Sequence, residues 1–314
     1  TEIVMISAKP IAGYDRVSIV SALRAGTLEM VLGPFAARII GREPALVDFL
    51  FDTYRDVPVR TSLSDVPDIA INIRPPSVTR ALFRRQVIPD PGFQVPAVPL
   101  PSSMAALAFE MGVNLVVALK CCRLVTFHAG VVTNDNGSIL ISAGSGGGKS
   151  TLVSALMEEG YRLFSDEFAL LDMSDGLLAS YPRPVSLKNE SIDVVREMSG
   201  SDWISPVLSG TPKGSIAYRR ARPEDIESAG SCSKTRLILF PRFNVSGDHF
   251  ANKISSSEAM MRLIPSSTNY HLLGEKAYEV LSEMVQGADA YEIAYGSTEE
   301  SLTIVRDLAD EAGL

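Results

Sequence analysis

The sequence predicts an α/β protein in two parts: a small α+β module over residues 1–100 and a larger α/β domain over residues 101–314 built around a phosphate loop. Three observations predict it. Strand-like and helix-like segments alternate after residue 102, and the run AGSGGGKS lies between an apolar strand and a helical segment. A proline-rich stretch, PDPGFQVPAVPLP over residues 89–101, separates halves whose patterns differ. At 314 residues the chain also exceeds the usual size of one compact core, so two domains are expected.

Composition narrows the class of protein. Hydrophobic residues make up 46% and charged residues 21%, which fits a globular protein and excludes disordered and fibrous classes. The net charge of −8 is broken by no basic stripe beyond the pairs Arg84-Arg85 and Arg219-Arg220, so no nucleic-acid partner is expected. Cys121, Cys122 and Cys232 show no metal-ligand spacing and suit a reducing compartment as core residues. No uninterrupted apolar run reaches the ~18 residues of a bilayer span, GVNLVVAL over 112–119 being too short, and no basic-then-apolar leader follows Thr1. A cytoplasmic protein with no membrane partner is the expectation.

In the first part, MVLGPFAARII over residues 30–40 reads as two strands broken at Gly33-Pro34. ALVDFLFDTY over 45–54 has helical spacing, and DIAINI over 68–73 alternates like a strand with one wet face. The proline-rich stretch reads as a linker or extended crossing and not as a central strand or helix. In the second part a long helix is expected over 103–120, then strands in RLVTFHAGVV and SILISA, then the glycine loop. TLVSALMEEG continues as a helix closing at Gly160, a suitable C′ glycine. Further strands are expected in YRLFSD, FALLD, PVSL over 184–187 and RLILF over 236–240.

The loop carries the most chemistry. Residues 143–150 read A-G-S-G-G-G-K-S, the Walker A pattern with Ala143 in place of its first glycine. Gly144, Ser145, Gly146, Gly147 and Gly148 can bring backbone N–H groups close to phosphate, and the following helix, which opens with Lys149, Ser150 and Thr151, directs its positive end there. Lys149 suits the β and γ phosphates of ATP and Ser150 suits Mg²⁺. A plain glycine-rich turn is the bland alternative, and the strand-and-helix context argues against it.

One helix and one strand separate Lys149 from Asp166 and Glu167, so the acid pair is expected at a strand end beside the loop. There an acid can act as base towards an incoming hydroxyl or as a metal ligand. A solvated turn would carry the same pair. His128, one strand before the loop in FHAGVV, could reach a transferring phosphoryl group, although a satisfied core histidine is the commoner fate by position.

Taken in order, H-A-G, A-x-S-G-x-G-K-S and G-Y-R-L-F-S-D-E resemble the catalytic core of the HPr kinase/phosphorylase family, whose fold is the P-loop domain of the HPr-kinase/PEP-carboxykinase type. RPVSLKNESIDVVRE (183–197), TPKGSIAY (211–218), LILFPRF (237–243) and NYHLLGE (269–275) look like the bacterial HPr-kinase-related kinase A group. The resemblance covers the chain from about residue 102 onward. It implies an ATP- and Mg²⁺-dependent serine kinase acting on a small protein or peptide. Lys149 and Ser150 match the phosphate-binding lysine and metal-binding serine, Asp166 the general base, Glu167 with Ser150 the metal-holding second acid, and His128 the histidine near the phosphates. Ala143 and Glu167 replace the Gly and Asp of the HPr kinases, and the segment after the acid pair is rebuilt around LKN, so neither acceptor choice nor phosphorylase activity carries over.

Arg242, at a strand end, is the arginine best placed to neutralise transition-state charge. Lys188, Asn189 and Lys213 are candidate acceptor-binding residues, with surface charges or loop hydrogen bonds as the alternative for each. The HPr kinases are oligomers, so a homo-oligomer is allowed. A kinase of small hydroxylated metabolites and an ATP-binding sensor without transfer are the competing functions.

Overall fold

A computed structural model describes residues 8–62, 66–94, 97–144, 146–247 and 249–314. Two compact units result, Thr1–Val117 and Ala118–Leu314, and the division falls inside a helix, past the proline-rich stretch.

The first unit contains β1 (Lys9–Pro10), α1 (Arg16–Ala25), β2 (Leu28–Leu32), β3 (Phe35–Gly41), α2 (Pro44–Thr53), β4 (Pro58–Arg60), β5 (Ile69–Arg74), α3 (Val78–Leu82), β6 (Gln86–Asp90), β7 (Leu100–Pro101) and most of α4 (Ala105–Lys120). Its strands form one mixed sheet in the order β1-β4-β2-β3-β5-β6-β7. The hairpin at Gly33-Pro34, the helix α2 and the alternating strand β5 follow the sequence pattern. The proline-rich stretch does not: Pro89 lies within β6, opposite Ile73, and Leu100–Pro101 forms β7. These strands close one side of the sheet, where a missing backbone N–H is tolerated.

By length and composition Ser102–Lys120 is a helix long and apolar enough to cross a membrane, although Glu110 interrupts its apolar run. Core packing explains that apolarity. More than half of the window is buried. Phe109 meets Tyr54 edge-to-face with centroids 5.5 Å apart, and the buried Glu110 carboxylate accepts the Tyr54 hydroxyl at 2.6 Å.

The second unit continues with β8 (Leu124–Phe127), β9 (Gly130–Asn134), β10 (Gly137–Ile141), α5 (Lys149–Glu158), β11 (Arg162–Ser165), β12 (Ala169–Asp172), β13 (Leu178–Ala179), β14 (Val185–Lys188), α6 (Glu190–Ser199), β15 (Leu208–Thr211), β16 (Gly214–Arg219), α7 (Pro223–Glu227), β17 (Cys232–Ser233), β18 (Thr235–Phe243), β19 (Phe250–Lys253), α8 (Ser256–Leu263), α9 (Tyr270–Gln286, kinked at Gly274), β20 (Asp289–Tyr295) and α10 (Thr298–Ala312). Its principal sheet has the order β11-β9-β10-β18-β20-β19. β10, β18 and β20 are parallel, and β9 is antiparallel to both β10 and β11. A second sheet, β17-β13-β12-β8, shares a core with α8 and α9 through Phe127, Ala169, Phe240, Leu263 and Leu281. A third, β14-β16-β15, adjoins α5 and α6.

This topology selects one edge of the principal sheet. β11 runs in the direction of β10, so the ends of β10, β11, β18 and β20 and the start of β9 all lie there. The carboxyl ends of parallel strands are where open α/β sheets bind ligands. Of the cysteines only Cys121 is buried: Cys122 sits in the turn before β8 and Cys232 on the short outer strand β17, so both are exposed instead of lying in the core.

Candidate active site

The phosphate loop leaves the end of β10, where the Ser142 N–H donates to Leu239 O of β18 at 2.9 Å. Gly146 and Gly148 have φ of +83° and +86°, a region that L side chains avoid. Gly147 N–H closes the turn on Gly144 O at 3.0 Å, and Gly148 caps α5. A Cβ at Gly144 or Gly146 would meet nothing within 4 Å, so this side of the loop is open. Ser145 lies outside the described residues. Thr151 stands half-buried in the first turn of α5 and makes no side-chain hydrogen bond among the described residues.

Gly130 opens β9 directly against α5. A Cβ there would come to 2.6 Å from Val153 Cγ2 and 3.6 Å from Lys149 Cγ. The glycine therefore lets the loop helix lie close on the sheet.

Asp166 follows the end of β11 and is 2% exposed. Its Oδ1 accepts Lys149 Nζ at 2.7 Å, and its Oδ2 accepts Ser150 Oγ at 3.0 Å and the Ser186 N–H at 3.2 Å. Lys149 Nζ also donates to the Asp166 carbonyl. Two consecutive residues of the glycine loop thus meet one buried carboxylate, as the spacing predicts for their position.

Glu167 turns the other way. Its Oε2 stands 3.6 Å from His128 Nδ1, and its carbonyl contacts the same nitrogen at 3.1 Å. His128 is held by its N–H to Ser266 O at 2.8 Å and packs edge-to-face on Phe168, yet half of its side chain reaches solvent. Burial first, and then the Lys149 charge, hold the imidazole below its ordinary pKa against the opposing pull of Glu167 and Asp166.

Lys188, Asn189 and Lys213 come together at the far end of the third sheet. Asn189 has φ of +52°; its Oδ1 accepts the Ser215 N–H at 3.1 Å and its Nδ2 donates to Lys213 O at 3.5 Å. It ties β14 to the turn at Lys213. Lys188 lies two residues from Ser186, on the same face of β14, and neither Lys188 nor Lys213 has an ion-pair partner among the described residues. Among the described residues Arg242 is bonded to neither Lys149 nor Asp166. Its guanidinium pairs with Glu292 at 2.7 Å, beside Arg262, while its neighbour Phe243 faces Gly148.

Three features could not be read from motif spacing. Ser186 supplies a backbone donor to Asp166. Arg219, 1% exposed, donates to Ser154 O at 2.7 Å and Glu158 at 2.6 Å, and Arg222 donates to Met157 O at 2.9 Å, which together satisfy the last turn of α5. Burial lowers the Arg219 pKa to about 10. Tyr295, at the end of β20, puts its ring beside Phe243 at the same sheet edge. The pair Arg219-Arg220 signals only surface charge in the sequence, and Tyr295 belongs to no motif.

Among the described residues no group of three His, Cys, Asp or Glu side chains forms a metal cage. The oxygen pair Ser150 Oγ and Asp166 Oδ2 fits a Mg²⁺ ion that takes its other ligands from phosphate and water. Among the described residues Glu167 pairs with His128 and has no hydrogen bond to Ser150.

No protein-family model matches the chain, and no curated protein matches it. Among solved structures that match is the structure of the Hpr(Ser) kinase/phosphatase from Coxiella burnetii, which covers 60% of this chain and 99% of its own at 16% identity and a TM-score of 0.26.

Proposed function

We propose that the second unit is an ATP- and Mg²⁺-dependent phosphotransferase that acts on a hydroxyl, with a serine of a small protein or peptide as acceptor. The observation that supports it best is the shared carboxylate: Lys149 and Ser150 both meet Asp166, and the next residue, Glu167, reaches His128. Bound Mg²⁺·ATP supplies the phosphoryl group and the charge that neutralises it.

The chain's own residues then divide the work. The N–H groups of Gly146, Gly148, Lys149 and Ser150, at the start of α5, cradle phosphate. Lys149 contributes a positive charge, and Ser150 with Asp166 holds the metal. The oxygens of Asp166 are committed to Lys149, Ser150 and Ser186. The Glu167–His128 pair, exposed on one side, is therefore our proton acceptor for the incoming hydroxyl, which exchanges the roles that the resemblance implies for the two acids. Lys188 and Lys213, which have no ion-pair partner among the described residues, are proposed to meet the acceptor. Arg242 serves the site only if it leaves Glu292. The exposed free thiols of Cys122 and Cys232 accord with a cytoplasmic protein.

Transfer from γ-labelled ATP to candidate peptides and proteins tests this reading. Glu167→Gln should keep Mg²⁺·ATP affinity and lose roughly 10²–10⁴ in rate, whereas Asp166→Asn should weaken Mg²⁺-dependent binding itself. Unchanged ATP affinity in Lys149→Ala would refute the nucleotide site.

A further inference from the structure

Tyr295 is 3% exposed, and its hydroxyl is buried with no hydrogen-bond partner among the described residues. Buried hydroxyls are normally paired, so an unpaired one at a site invites the question of what pairs it. A phenylalanine would fill the same space: the ring already packs against Phe243, with centroids 6.1 Å apart. Only the oxygen needs explaining.

The hydroxyl points at the phosphate loop. Tyr295 Oη stands 2.9 Å from where a Cβ on Gly148 would be. Gly148 is the N-cap of α5, the residue whose backbone turns towards phosphate, and its φ of +86° independently requires glycine. Tyr295 ends β20, one strand beyond β18 from β10, so the phenol reaches the loop from the carboxyl edge of the parallel strands. Burial raises its pKa, which keeps the group a neutral donor.

We propose that Tyr295 is a ligand-contacting residue of the nucleotide site, donating its O–H to the phosphate chain bound at Gly148. This rests on the nucleotide reading above and adds a donor from outside the glycine loop. A neutral donor adds specificity without adding charge.

The test compares the unaltered chain with Tyr295→Phe in three measurements: calorimetric titration with Mg²⁺·ATP, the thermal midpoint without nucleotide, and the tyrosine ultraviolet difference spectrum on adding Mg²⁺·ATP. We expect affinity to fall about tenfold or more in the variant. Its nucleotide-free midpoint should be unchanged or higher, since no native hydrogen bond is removed. The unaltered chain should show a tyrosine difference signal that the variant lacks. Equal affinities, or a lowered nucleotide-free midpoint whether or not affinity falls, would overturn the proposal, because a merely structural hydroxyl predicts them. Failure of the unaltered chain to bind Mg²⁺·ATP would remove the nucleotide reading itself and this proposal with it.

Discussion

Asp166 and His128 illustrate how neighbouring residues of the site come under different control. Asp166 is enclosed by donors from the loop helix and from β14, so its charge is balanced locally by Lys149. His128 has no such enclosure and feels the Lys149 ammonium as a repulsion. Its pKa is lowered from the ordinary 6.5, so the native protein binds fewer protons at this ring than the unfolded chain does. The associated stability is present in full above pH 6.5 and is lost as pH falls from there through the lowered folded value. An NMR titration of His128 should give a midpoint below 6.5, and Lys149→Met should raise it. A native midpoint above 6.5 would mean that Glu167 and Asp166 together outweigh burial and Lys149.

The elements show where local sequence loses its authority. RLVTFHAGVV reads as one strand kinked beside His128, but the chain breaks there into β8 and β9, which belong to different sheets. The break is set by distant groups: the His128 N–H is taken by Ser266, and the Thr126 N–H by Asn269 Oδ1 at 3.0 Å. No turn residue announces it until Gly130. By contrast α5 was legible, because a positive-φ glycine precedes it and its apolar face is continuous. What the sequence does not reveal is how tightly α5 lies on β9, a fit governed by Gly130. Gly130→Ala should push Val153, and α5 with it, outward and cost about 1–3 kcal/mol, with Mg²⁺·ATP affinity falling in parallel. Urea unfolding checks the first and calorimetry the second. Adding Val153→Ala should restore part of the affinity, and a silent Gly130→Ala would show that the helix has slack.

At the scale of the molecule, the donor half of the site could be read from the sequence because it is nearly contiguous: one helix and one strand separate Lys149 from Asp166. Phe243 and Tyr295 could not be read, because only the strand order carries them to the same edge, and Ser186 meets Asp166 from the third sheet. That order makes a prediction which the loop motif does not. If the edge is the nucleotide site, Mg²⁺·ATP should slow amide exchange in five separate segments: residues 128–130, 146–150, 165–167, 241–244 and 294–296. These follow or precede strands β9, β10, β11, β18 and β20, whose backbone groups pair across the sheet and respond together when the edge is ordered. Segments at the opposite edge, such as 134–137, provide the internal control, since they share the same strands but not the site. Protection confined to residues 146–150 would leave a phosphate-binding loop with no site built around it. Protection in all five, with 134–137 unchanged, would mean that the sheet edge responds to the nucleotide as one surface.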